Sequence, residues 1–311
     1  MVAGCAGIVA AAAALYWSRG REPMYNGRSL SDWLRAAQPM PFRSPQTIPA
    51  EASVAVRQIG TNALPFLLRW IRENQGKPGA REEAFRLANR YRLWRFGGDM
   101  LLEAIDGREL RGGRALEGFR ILGEEGGSAV PDLVQMATGS NEWTARAAIA
   151  GLGYAGLRAL PPLMIMATNK SFRFHWEAMG AIGRMSYLGT NARPAVEMLI
   201  RSLDDHKLGV GAADMLGRLG LEGDICVPAL ERCLLSTKPA LRMWGAISLG
   251  RFGDIAAPAL PELVKTLNDA QESVRIEVTN ALMKIAPEVL KGIEQRQIQG
   301  GVGKSETNPS P

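Results

Sequence analysis

The chain has 311 residues, 46% hydrophobic but only 6% aromatic, so it is too apolar for a disordered polymer and better suited to close-packed helices than to a β-sandwich. With 3 Cys, 2 His and no Cys-x-x-Cys, neither a disulfide framework nor a metal site can be read, and no cofactor is expected. The net charge of +6 sits in residues 18–120, with 18 Lys and Arg against 11 Asp and Glu; residues 121–311 hold 19 against 20, so nucleic acid is not an expected partner.

Residues 2–17 are 16 uncharged, mostly apolar residues ending in Tyr16 and Trp17 and followed by Arg19 and Arg21. As a helix this segment would be about 24 Å long, somewhat short of the roughly 30 Å hydrocarbon core. We read residues 1–18 as a membrane anchor or signal segment. A cleavable signal peptide lacks its basic leader here. Val2-Ala3-Gly4-Cys5 looks like a lipobox without the apolar stretch that should precede it, and a buried Ala-rich helix is the alternative.

Residues 19–50 are a linker and an N-terminal cap. Tyr25-Asn26-Gly27-Arg28 reads as a turn, followed by a short helix capped by Ser29 or Ser31. Residues 39–49 (PMPFRSPQTIP) are too rich in proline for a helix.

Residues 51–294 carry a rhythm. Pro65, Pro131, Pro161, Pro194, Pro228 and Pro261 are spaced by 66, 30, 33, 34 and 33 residues, the first step being a double one. Each closes a like phrase: Ala63-Leu64-Pro65, Ala129-Val130-Pro131, Ala159-Leu160-Pro161, Ala192-Arg193-Pro194, Cys226-Val227-Pro228, Ala259-Leu260-Pro261. A period in the low thirties means a repeat array. Glycines stand eight residues before the ladder proline (Gly123, Gly153, Gly220, Gly253) or eleven before it (Gly183, Gly217, Gly250), where they can turn the chain or let helices approach closely. The last complete repeat shows the grammar. Pro239 opens a first helix with Leu241, Trp244, Ile247 and Leu249 at helical spacing, and Leu260-Pro261 begins the second. Cys226 and Cys233, seven residues apart, would be about 10 Å apart along a helix, too far to bridge.

Asp269 to Arg275 followed by Asn280-Ala281-Leu282 resembles the first-helix signature of HEAT-like repeats, also called PBS-lyase-like; Arg146 and Arg242 repeat its arginine position. The resemblance implies an all-α solenoid. It also implies that these arginines meet an acidic or amide group of a neighbouring unit, for which Asn141, Asp205 and Asp269 are the candidates. The order of anchor, short linking segment and repeats resembles bacterial membrane-anchored HEAT-repeat proteins. The arginines after the anchor would put the body in the cytoplasm and that resemblance suggests the opposite, so the membrane side stays open.

Three motifs stand outside the array's grammar. Residues 81–96 (REEAFRLANRYRLWRF) interleave Arg86, Arg90, Arg92 and Arg95 with Phe85, Tyr91, Trp94 and Phe96. They form a candidate basic contact surface for an anionic lipid or acidic partner, against the plainer reading of an amphipathic helix with snorkelling arginines. His175-Trp176-Glu177 is similar to the His-Glu pairs of HEAT-like iron hydroxylases, but His206 is the only other histidine. Gln299 to Ser305 looks like a phosphate loop, yet too few residues follow for the helix such a loop must open. Residues 295–311 read as a disordered tail.

The sequence thus predicts an all-α α-solenoid of about seven or eight HEAT-like two-helix repeats behind an N-terminal hydrophobic helix. The double step from Pro65 to Pro131 leaves room for one unit without its proline, with Asp99 placed where a helix cap could stand in. The expected role is a non-catalytic scaffold for a protein partner, membrane-tethered through residues 1–18, with no small-molecule substrate. The partner would lie on a concave face built from second helices, residues 131–137, 161–167, 194–203, 228–235 and 261–267. Binding of nucleic acid or an anionic surface through the basic N-terminal third, and a bilin lyase-like activity, are the alternatives.

Overall fold

The computed structural model describes residues 22–37, 49–73, 111–292 and 295. The expected anchor, residues 74–110 and most of the tail lie outside them. The described chain is almost wholly helical and divides into two compact units, residues 1–159 and 160–311.

In the first unit a two-residue antiparallel pairing, β1 (Met24–Tyr25) with β2 (Arg28–Ser29), turns through Asn26 and Gly27, both at positive φ. Asn-Gly is the pair that tolerates such a turn. Ser29 then caps helix α1 (Leu30–Ala37), its Oγ accepting the Asp32 N–H at 3.3 Å. Trp33 of α1 is buried and donates its indole N–H to the Tyr25 carbonyl at 3.1 Å, fixing the hairpin on the helix. Next come α2 (Ala50–Ile59) and α3 (Leu64–Glu73), then α4 (residues 111–122), α5 (Val130–Ala137) and α6 (Glu142–Leu152). Helix α1 packs on α2, α3 on α5 and α6, and α5 on α6.

The second unit runs α7 (Leu160–Thr168), α8 (His175–Ile182), α9 (Arg193–Ser202), α10 (Gly209–Leu219), α11 (Gly223–Leu234), α12 (Pro239–Phe252), α13 (Leu260–Thr266) and α14 (Glu272–Ile285). First helices α8, α10, α12 and α14 pack in succession, and second helices α7, α9, α11 and α13 form a parallel row. Each second helix also packs on the first helix that follows it. This is the stacking of a repeat array, in which each element buries its apolar stripe against its neighbours in sequence.

The junction inside each repeat follows from the ladder phrase. A short 3₁₀ segment ends at Ala63, Ala129, Ala159, Ala192 or Ala259, every one of them buried. The next helix then starts with the ladder proline as its second residue, where its missing N–H would have had no partner. The chain enters these segments through glycines with φ near +55°, including Gly60, Gly189 and Gly253 with ψ of −142°, −135° and −135°. Only glycine occupies that region without strain.

Two expectations need correction here. Gly153 is right-handed; the positive-φ residue of its repeat is Gly156, five residues before the proline, as are Gly60 and Gly189. Pro228 does not start its helix: α11 begins at Gly223 and runs through it. In that repeat no 3₁₀ segment forms, and the turn is made by Gly220 and by Glu222, a non-glycine residue at φ 50°, ψ 52°. The Glu222 carboxylate accepts from Arg193 Nη1 at 2.7 Å, tying the strained residue to α9. Cys226 fills the buried place the ladder alanine holds elsewhere, so register is kept.

Glycines eleven residues before the ladder proline do what their spacing suggested. A Cβ at Gly217 would lie 2.8 Å from the Ser248 Cα, and one at Gly250 would lie 3.0 Å from the Ala281 Cα. Backbone thus meets backbone where α10 crosses α12 and α12 crosses α14. Ser248, fully buried, uses the close approach to donate to the Ala213 carbonyl at 2.8 Å.

Candidate functional site

The second-helix row of the second unit exposes one ladder proline in each repeat, Pro161, Pro194, Pro228 and Pro261. Ile165 on α7 is 70% exposed and Leu235, just past α11, is 67% exposed, the highest values among the large hydrophobic residues described. Leu235 borders a cleft of about 280 Å³ of mixed lining, in which Leu203, Ala229, Cys233 and Leu241 stand beside Asp204, Arg232, Ser236 and Lys238.

Cys226 and Cys233 are both free and buried on α11; burial pushes the Cys226 thiol up to about 12 and the Cys233 thiol up to about 11.

Between repeats, ion pairs lock the loops. Arg242 at the start of α12 grips Asp269 of the next loop bidentately, Nε to Oδ2 at 2.6 Å and Nη2 to Oδ1 at 2.8 Å, with side chains 15% and 8% exposed. This is the arginine contact that the HEAT-like resemblance implied. Hydrogen bonding from Arg242 holds the Asp269 carboxyl below its usual range. Asp205 also serves the array: it pairs with Lys170 of the preceding loop and accepts the Lys207 and Leu208 N–H groups, and these hydrogen bonds lower its pKa, that from Lys170 most. Asn141 instead caps α6 by accepting the Thr144 N–H, and Arg146 pairs with Glu142 on its own helix. Asp214 is buried between Arg218 of its own helix and Arg251 of α12, contacts the sequence reading did not foresee.

The Nδ1 atom of His175 sits 3.0 Å from the Phe172 carbonyl and its ring lies beside Trp176, whereas His206 is exposed. Among the described residues no three His, Cys, Asp or Glu side chains gather as metal ligands. The candidate basic surface of Arg86, Arg90, Arg92 and Arg95 and the loop Gln299–Ser305 lie outside the described residues. Among the described residues no helix is long and apolar enough to cross a membrane.

It is a helical-repeat protein. No family model matches the chain, and no curated protein matches it. Among solved structures, a designed armadillo repeat protein in complex with the peptide (KR)4 aligns with 71% of this chain and 98% of its own length, at 15% identity and a TM-score of 0.37. An engineered protein aligns with 83% of this chain and 68% of its own, at 17% identity and a TM-score of 0.37. The repeat architecture rests on this chain's own period and stacking, not on those alignments.

Proposed function

We propose that the chain is a non-catalytic, HEAT-like scaffold that holds a protein partner along its second-helix row and is tethered to a membrane through residues 1–18. The observation that carries the binding face is the exposure of Ile165 and Leu235 on that row. Burying either in a partner would return roughly 1.5–3 kcal/mol of hydrophobic free energy. The regular repetition of the row supports the scaffold reading, since stacked repeats provide long contact surfaces. The tether rests on the apolar run of residues 2–17 with its terminal Tyr16-Trp17 and flanking arginines.

The double change Ile165→Asp, Leu235→Asp tests the binding face. Capture of the membrane-fraction partner should fall about tenfold or more while the melting temperature holds. Unchanged capture would refute the assignment. Deleting residues 2–18 should move the protein to the soluble fraction with its helical circular dichroism intact; retention in the membrane fraction would refute the tether.

A further inference from the structure

The first described residues are clamped to the N-terminal cap one after another. Glu22 Oε2 accepts the Ser31 N–H at 3.0 Å, the Pro23 carbonyl accepts the Leu30 N–H at 3.0 Å, and the Tyr25 carbonyl accepts the Trp33 indole N–H at 3.1 Å. The hairpin is thus fixed to α1, and β1 also packs on α2. Glu22 follows Trp17, the last residue of the apolar run, by five positions, and five extended residues reach about 18 Å at most. A cap held this rigidly on so short a link goes where the apolar run goes. With that run in a bilayer and Tyr16-Trp17 at its edge, the hairpin stands within about 18 Å of the interface.

What the hairpin exposes suits that position. Met24 is 65% exposed, the most of any large hydrophobic residue described in the first unit, and Val54, on the helix that β1 packs against, is 52% exposed. Apolar residues exposed singly are ordinary on a protein surface, so Met24 counts for its place next to the apolar run, not for its exposure alone. Arg28, opposite Tyr25 in the pairing, is exposed and lays its guanidinium over the Trp33 ring, 5.1 Å from the centroid. Stacking uses the face of a guanidinium and leaves its N–H edges, which fit phosphate oxygens. Residues 18–31 hold three basic residues, Arg19, Arg21 and Arg28, and one acid, Glu22, whose carboxylate already accepts from Ser31. The stretch is therefore positive where it would meet lipid headgroups.

We propose that the cap hairpin seats on an anionic bilayer, with Met24 at the boundary of headgroups and acyl chains and Arg28 among the lipid phosphates. A flexible thioether buries readily in that boundary, and anionic headgroups attract a basic stretch beside a membrane segment. The seating rests on the tether proposed above and adds to it a folded surface that touches lipid. It involves the first unit alone and is independent of the second-helix row.

The test places the full chain in phosphatidylcholine vesicles with and without phosphatidylglycerol. The photoreactive residue p-benzoylphenylalanine is put at position 24 or, as an exposed control in the second unit, at position 283, where Met283 is 54% exposed. Co-sedimentation with the vesicles reads the tether; the lipid adduct, identified by mass spectrometry, reads the seating. Position 24 should give severalfold more adduct than position 283, and phosphatidylglycerol should raise it. Arg28→Glu should cut the adduct at position 24 severalfold while the chain still sediments with the vesicles. Sedimentation without adduct at position 24, equal adduct at both positions, or a crosslink from position 24 to a second copy of the chain in place of lipid would overturn the seating and leave the tether standing. Failure to sediment would remove both. The unaltered chain gives a reading that needs no variant: hydrogen exchange at the Asn26 and Gly27 amides should slow severalfold when phosphatidylglycerol is added, and unchanged exchange would overturn the seating.

Discussion

Glycines of two kinds occur in this chain and should respond oppositely to alanine. Gly253 is at φ 55°, ψ −135° with open space where a Cβ would go, so the cost there is conformational. Gly253→Ala should destabilise by about 1–3 kcal/mol. Gly180 is inside α8, also with open space around it, and Gly180→Ala should stabilise by about 0.5–1 kcal/mol. Thermal melts of both variants check the pair; a shift of the same sign in both would contradict the backbone assignment. Asp269 provides a second prediction at this scale. Its folded pKa is depressed by Arg242, so the stabilisation is fully present above the unfolded value of about 3.9 and is lost as pH falls through the folded value. Asp269→Ala should cost about 2–3 kcal/mol at neutral pH, since it strands a mostly buried guanidinium. It should also flatten the acid limb of stability against pH, followed by denaturation between pH 2 and pH 5 (about the range of carboxylate titration). An unaltered acid limb would show that the pair does not control it.

Among elements, the crossing of α10 with α12 is a tight constraint. An alanine methyl at Gly217 would meet the Ser248 Cα at 2.8 Å, a backbone atom that cannot swing aside. Gly217→Ala should therefore force the helices apart and cost about 1–3 kcal/mol, read by chemical denaturation. A neutral result would mean that the two helices are farther apart than described. These close-approach glycines were legible in the sequence because helix packing repeats with the chain. The turn glycines were half legible. Whether the left-handed glycine falls eight residues before the proline, as Gly123 does, or five before it, as Gly156 does, is not set by any local residue type. The α11 repeat was missed for a related reason: with Gly220 and Glu222 making the turn, the helix starts early and swallows Pro228.

At the scale of the molecule, the proline period settled the architecture because a repeat averages over local ambiguity. The binding face was harder to see. Ile165 and Leu235 were hidden, because apolar residues in second helices read as core until burial is known. The central claim is that in the second unit each described hairpin shares surface only with its neighbours along the chain. Carbodiimide coupling of the monomer, which joins a lysine amine directly to a carboxylate, followed by mass spectrometry, tests it most directly. The account predicts a link between Lys170 and Asp205, which touch across one repeat, and further links in the second unit that span about one repeat each. Absence of the Lys170–Asp205 link, together with links joining residues about a hundred positions apart within 160–292, would contradict it.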